Sequence, residues 1–255
     1  MWCVSTWLRY VSIDDIVVVN QSNVHRIFDG LIDVDAFRRF SFAKQSDVVS
    51  AAWLSEFGGC FLDVDTVMVN NRALFFLDVS EEGDSFVYFG DSNRGGVHIG
   101  ALSGSRGSSI ASAWLSGALE RLTRWEDDRS WAYLGNAVLE PLIRAQEYAG
   151  LSRCVDVRTN LATPELLLEN YYSGMDRRQL YELFWFSDMA SVAAPVSWAD
   201  CGGIISLHNS WTPESFARLE GHDLENVDNR LGAILREHGD RSALSKLEAK
   251  FYYGS

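Results

Sequence analysis

The chain predicts an α/β fold, a mixed sheet flanked by helices, on three observations. Short apolar runs bounded by glycine alternate with segments of helical pattern. A composition of 47% hydrophobic and 22% charged residues supplies a core for one large domain. No internal repeat or low-complexity linker marks a boundary, so one domain over residues 1–255 is expected, with a charged helical tail from about Pro213.

In order, Trp2 to Tyr10 reads as a short amphipathic helix, and Ile13 to Asn20 as a turn followed by a buried-type strand. Val24 to Phe40 is helical or mixed. Ser46-Asp47 suits a helix N-cap, and Val48 to Phe57 runs helically until Gly58-Gly59 stops it. Phe61 to Val69 reads as one buried strand, and Phe86 to Phe89 and Gly95 to Leu102 as two more. Ser103 to Ser109 is loop-like. Helices follow over Ile110 to Trp125 and over Trp131 to Tyr148, the latter beginning near Gly135-Asn136. Cys154 to Val157 is a short strand, and Thr163 to Met189 is mixed, with a core-type aromatic cluster around Trp185. Gly203 to His208 is a last strand before a tail broken at Gly221, Gly232 and Gly239.

The net charge of −13 leaves no basic stripe for nucleic acid and disfavours anionic membranes. Cys3, Cys60, Cys154 and Cys201 have neither zinc-site spacing nor the pattern of a disulfide framework, which points to a reduced, cytoplasmic setting. Arg9, Asp14 and Asp15 interrupt any signal-peptide core, and no stretch approaches the ~20 apolar residues of a transmembrane segment.

Asp63 and Asp65 stand out because a single strand over 61–69 would project both from the same face. Two carboxylates in an apolar run need a partner, since an ionised group is costly to desolvate. A divalent cation, Mn²⁺ or Mg²⁺, completed by substrate phosphates would meet that need. The bland alternative is a strand end running into a solvated loop. His98, on a strand after Gly-Gly, is better read as an interior histidine than as a ligand.

Ser46-Asp47, Gly58-Gly59 and Asp63-x-Asp65 together resemble the Asp-x-Asp glycosyltransferases. That group includes capsular polysaccharide synthesis enzymes, initiating mannosyltransferases and the glucosyltransferase domains of clostridial toxins. The likeness runs closely over Lys44 to Val69, more loosely over Cys3 to Asn23, and returns at Ser206 to Trp211. It implies the GT-A fold and metal-dependent, retaining transfer of a sugar from a UDP- or GDP-linked donor to a saccharide acceptor, by default in polysaccharide biosynthesis. It also implies site roles. Asp65 would bind the metal, and Asp63 would reach the ribose, the sugar or the metal. Ser46, Asp47, Gly59 and Trp211 would serve the donor. His208, Asn209 and Ser210 would complete the metal shell.

Two features depart from the family. Ser50 stands where the family has an arginine, and the family's opening strand would lie ahead of Met1. These favour, as an alternative, an inactive nucleotide- or carbohydrate-binding relative. A second alternative is a haloacid-dehalogenase-like phosphatase, with Asp63 as nucleophile, Asp65 as general acid and Gly90-Asp91-Ser92 as a later motif. The spacing before Gly90 is short for that family.

Overall fold

A computed structural model of the chain describes residues 2–79, 83–90, 96–124, 130–156, 161–162, 174–188, 203–219, 223 and 226–252. The architecture is mixed α/β, with mixed sheets flanked by helices. In chain order come α1 (Trp2–Trp7), α2 (Val24–Ile27), α3 (Val34–Phe37), α4 (Phe42–Glu56), β1 (Gly59–Leu62), β2 (Thr66–Met68) and α5 (Arg72–Leu77). Then follow β3 (Phe86–Gly90), β4 (Val97–Gly104), α6 (Ser109–Arg124), α7 (Asn136–Arg144), β5 (Ser152–Asp156) and β6 (Leu161–Ala162). The last are α8 (Arg177–Phe186), β7 (Ile204–Ser206), α9 (Glu214–Ala217), α10 (Arg230–His238) and α11 (Arg241–Tyr252).

These elements gather into two compact units. One draws on residues 1–17, 63–73 and 157–255, the other on 18–62 and 74–156. Each has its own sheet and its own core.

In the 18–62 and 74–156 unit the sheet order is β1-β4-β3-β5, with β4 antiparallel to both neighbours and β5 parallel to β3. Val48, Ala51 and Ala52 line one stripe of α4 and are fully buried, as are Ile110, Ala111, Trp114 and Ala118 on α6. The alanines let the two helices approach closely, and Ser55 Oγ and Ser112 Oγ hydrogen-bond at 2.9 Å. Trp114 Nε1 donates to the Leu134 carbonyl at 2.8 Å, so even its polar atom is satisfied.

The other unit has the order β2-β7-β6, β7 antiparallel to β2 and parallel to β6. Its core joins Val67, Val69, Ile205 and Leu207 of the sheet to Tyr181, Phe184 and Trp185 of α8 and to Ile234 and Leu235 of α10. Trp185 is buried, in agreement with its core reading. Among the described residues the outer edge of β2 has no neighbouring strand, and side chains of α1 and of Tyr10 just after it bond to that edge. Trp7 Nε1 donates to Thr66 O at 2.6 Å, Thr6 Oγ1 accepts from Met68 N at 2.9 Å, and Tyr10 OH donates to Val69 O at 2.8 Å. Backbone groups that a ladder would have paired are thus satisfied locally.

Several expectations are corrected. Phe61 to Val69 is not one strand: β1 and β2 belong to different sheets, and Asp63 to Asp65 form the break between them. Ile13 to Asp15 is a 3₁₀ turn, and residues 16–20 form no strand, with Val17 exposed. Helix α4 starts at Phe42 after Ser41, so Ser46-Asp47 lies inside it rather than capping it. β4 continues through Ser103 and Gly104, the first two residues of the stretch read as loop, and Ser105 to Ser108 form no helix or strand. Helix α7 is shorter than expected and is followed by a 3₁₀ turn over Gln146–Tyr148. Gly232 does not break the tail; it sits in the first turn of α10, where its N–H is capped by Asn229. Asp91, Ser92, Cys201 and Gly221 lie outside the described residues.

Replacing Trp7 by Phe keeps the ring but strands the buried Thr66 carbonyl. Urea unfolding should show a loss of about 1–3 kcal/mol, and hydrogen exchange at the Met68 amide should speed up. A second test concerns His238, buried at the end of α10 with Nδ1 3.5 Å from Tyr10 OH. Burial lowers its pKa from the ordinary 6.5; Glu237 raises it and Arg9 lowers it further. The neutral ring therefore contributes stability that is fully present above 6.5 and is lost as pH falls from there through the lowered folded value. Comparing urea midpoints at about pH 7.5 and 5.5, His238→Gln should flatten this dependence.

Candidate functional site

The Asp-x-Asp turn begins where β1 ends. Thr66 N donates to Asp63 O at 2.9 Å, which closes the turn and leaves Val64 exposed between two half-buried aspartates. The β2–β7 register pairs Thr66 with Ser206, and beyond it Leu207 N donates to Asp65 O at 3.1 Å. That bond extends the ladder by one residue. Asp65 thereby takes the parity of Val67 and Val69, whose side chains enter the core of this unit, whereas Asp63 stays in the turn.

The surroundings of Asp65 register its charge. Burial pushes the Cys3 thiol up to about 12, and the Asp65 carboxylate adds to the rise. Tyr181 is likewise raised to about 12 by burial, with a smaller contribution from Asp65. Cys3, Asp65 and Tyr181 therefore share one neighbourhood.

His208 follows β7 directly. Its backbone N donates to Tyr181 OH at 3.0 Å, and its carbonyl accepts from Trp211 N at 2.8 Å, closing the 3₁₀ turn Asn209–Trp211. The His208 and Trp211 rings lie 4.4 Å apart, and Tyr181 packs on both, at 5.5 and 5.7 Å. Both rings are half-buried, and Ser210 is exposed. The structure thus pairs the Asp65 backbone with Leu207, the residue before His208, and gathers the His208 and Trp211 rings around Tyr181, with Ser210 exposed on the same turn. Sequence reasoning missed Tyr181. Its signal was readable: Asp176 and Gln179 form a capping box, and Leu180, Tyr181, Phe184 and Trp185 then recur as one buried helical stripe.

Among the described residues, no three His, Cys, Asp or Glu side chains converge into a closed metal site. A Mg²⁺ ion needs no such cluster, since it takes one or two protein carboxylates and keeps other positions for water and phosphate. Asp63 and Asp65 carry hard-oxygen side chains, and His208 directly follows Leu207, the residue bonded to Asp65.

Ser46, Asp47, Ser50 and Gly59 belong to the other unit and have local partners there. Ser50 Oγ donates to Ser46 O at 2.7 Å, and Ser50 is 1% exposed. An arginine at this position would have to bury its guanidinium within α4. The Gly-Gly pair is accounted for by backbone geometry. Gly58 has φ +72°, and a Cβ there would meet Arg106 N at 2.5 Å; Gly59 has φ +87° and opens β1 opposite Gly104. Asp47 is 8% exposed, and its carboxylate packs on Gly135, the residue before α7, where a Cβ would lie 2.6 Å from Asp47 Oδ2 and 2.7 Å from Ile99 Cδ1. A carboxylate at a helix start is favoured by the helix dipole. His98 is half-buried on β4 in the same unit.

Gly135→Ala should therefore be destabilising by about 1–3 kcal/mol, the cost of overpacking a filled site. Combined with Asp47→Gly the penalty should shrink, because the colliding carboxylate is gone. A double-mutant cycle in urea measures the coupling.

No family model matches this chain, no curated protein matches it, and no solved structure matches it.

Proposed function

We propose that the protein is a metal-dependent glycosyltransferase of GT-A type that moves a sugar from a UDP- or GDP-linked donor to a saccharide hydroxyl. One observation carries the reading. The Leu207 N to Asp65 O hydrogen bond sets the Asp63-x-Asp65 turn against the His208–Trp211 segment, two stretches far apart in sequence that the resemblance assigned to one site. The carboxylates supply hard oxygen ligands, and the half-buried His208 and Trp211 rings supply a surface for a nucleotide or sugar ring.

In the reaction the bond between the anomeric carbon and the diphosphate oxygen breaks, and the acceptor oxygen forms the new bond to that carbon. The acceptor proton leaves to the departing phosphate or to water. A Mn²⁺ or Mg²⁺ ion held by Asp65, with Asp63 directly or through water, would neutralise the leaving diphosphate. The chain's own residues hold the donor and fix its orientation. A second reading, a donor-binding relative without turnover, is favoured by the buried Ser50 in the place of the family's arginine.

Thermal unfolding with UDP and GDP, each with and without Mn²⁺, tests the assignment. At ~100 times its dissociation constant a ligand stabilises the folded state by ~2.7 kcal/mol. A shift of several degrees that requires both nucleotide and metal, and is lost in Asp65→Asn, is expected. Asp65→Asn with an undiminished shift would remove the metal role of Asp65. Metal-dependent binding without sugar transfer to any saccharide acceptor would select the second reading.

A further inference from the structure

We propose that Tyr181 is the positioning residue of the donor subsite: its phenol fixes the His208–Trp211 segment at the height where the donor diphosphate is gripped. This rests on the glycosyltransferase reading above. Tyr181 is fully buried on α8, and its hydroxyl oxygen receives the His208 backbone N–H at 3.0 Å. The Thr212 hydroxyl bonds the same oxygen and lies 3.5 Å from the His208 carbonyl. The two ends of the 208–212 turn are therefore tied to one phenol.

The ring does a second job. It packs against His208 at 5.5 Å, against the edge of Trp211 at 5.7 Å and against Phe186 at 5.9 Å. Phe186 in turn meets Phe216 at 4.7 Å. Hydrogen bond and ring contacts act on the same short turn, so its height above β7 is set from α8 rather than by the turn's own sequence. Asp65 stands one ladder position from His208, close enough for its charge to reach the phenol. A turn displaced from Tyr181 would move His208 and Trp211 relative to Asp65 and so weaken donor binding. It would leave the bond-breaking step itself little changed.

Tyr181→Phe keeps the ring and removes only the acceptor. UDP with Mn²⁺ and GDP with Mn²⁺ are each titrated into parent and variant. For the nucleotide that binds, the dissociation constant should rise about tenfold. In the transfer assay the donor KM should rise while kcat and the acceptor KM stay near parental values. Thr212→Val, a milder change at a half-buried position, should raise the dissociation constant about threefold, and it decides the matter if Tyr181→Phe does not fold. A lowered melting temperature with an unchanged dissociation constant in both variants would reduce Tyr181 to a core residue and overturn the proposal, leaving the glycosyltransferase reading intact. A parent that binds neither nucleotide with Mn²⁺ would overturn that reading, and the role of Tyr181 with it.

Discussion

The unit that carries Asp63 and Asp65 depends on how the outer edge of β2 is closed. β2 is three residues long and, among the described residues, pairs with β7 on one side only. A strand that short leaves its unpaired carbonyls and amides a large part of its total hydrogen-bonding demand. Thr6 and Trp7 of α1, and Tyr10 just after it, meet part of that demand at Met68 N, Thr66 O and Val69 O. The β7 pairing sets the register of the strand, and the register gives Asp65 the parity of Val67 and Val69. The N-terminal helix therefore acts on the candidate site through side-chain hydrogen bonds to the β2 backbone.

Asp65 is an expensive residue in its position. It continues the core-facing parity of Val67 and Val69, next to a buried phenol and a thiol whose acid forms burial already favours. A carboxylate there repels further negative charge and attracts cations. In a chain of net charge −13, phosphate-bearing ligands would meet an unfavourable field unless a cation accompanied them.

Motif residues in the other unit show how a functional signature and a packing requirement can coincide. Gly58 is required by a left-handed backbone and by the approach of Arg106, Gly135 by the Asp47 carboxylate, and Ser50 by burial inside α4. These local roles explain the residue types without any ligand. The pairing of Leu207 with Asp65 is different in kind, since it joins two stretches that local sequence cannot connect.

The sequence by itself determined the α/β class, the α4 stripe ended by Gly58-Gly59, the strands at Phe86 to Phe89 and Val97 to Leu102, and the residue types of the carboxylate turn. Those features rest on periodicity and turn chemistry, which act over a few residues. Tertiary structure alone decided that the apolar run from Phe61 to Val69 divides between two sheets, that residues 16–20 form no strand, and that Tyr181 underlies His208 and Trp211. A β-branched run carries the same local signal whether it enters one sheet or two; only the partners that the rest of the chain provides, β4 for Cys60 and β7 for Val67, tell them apart.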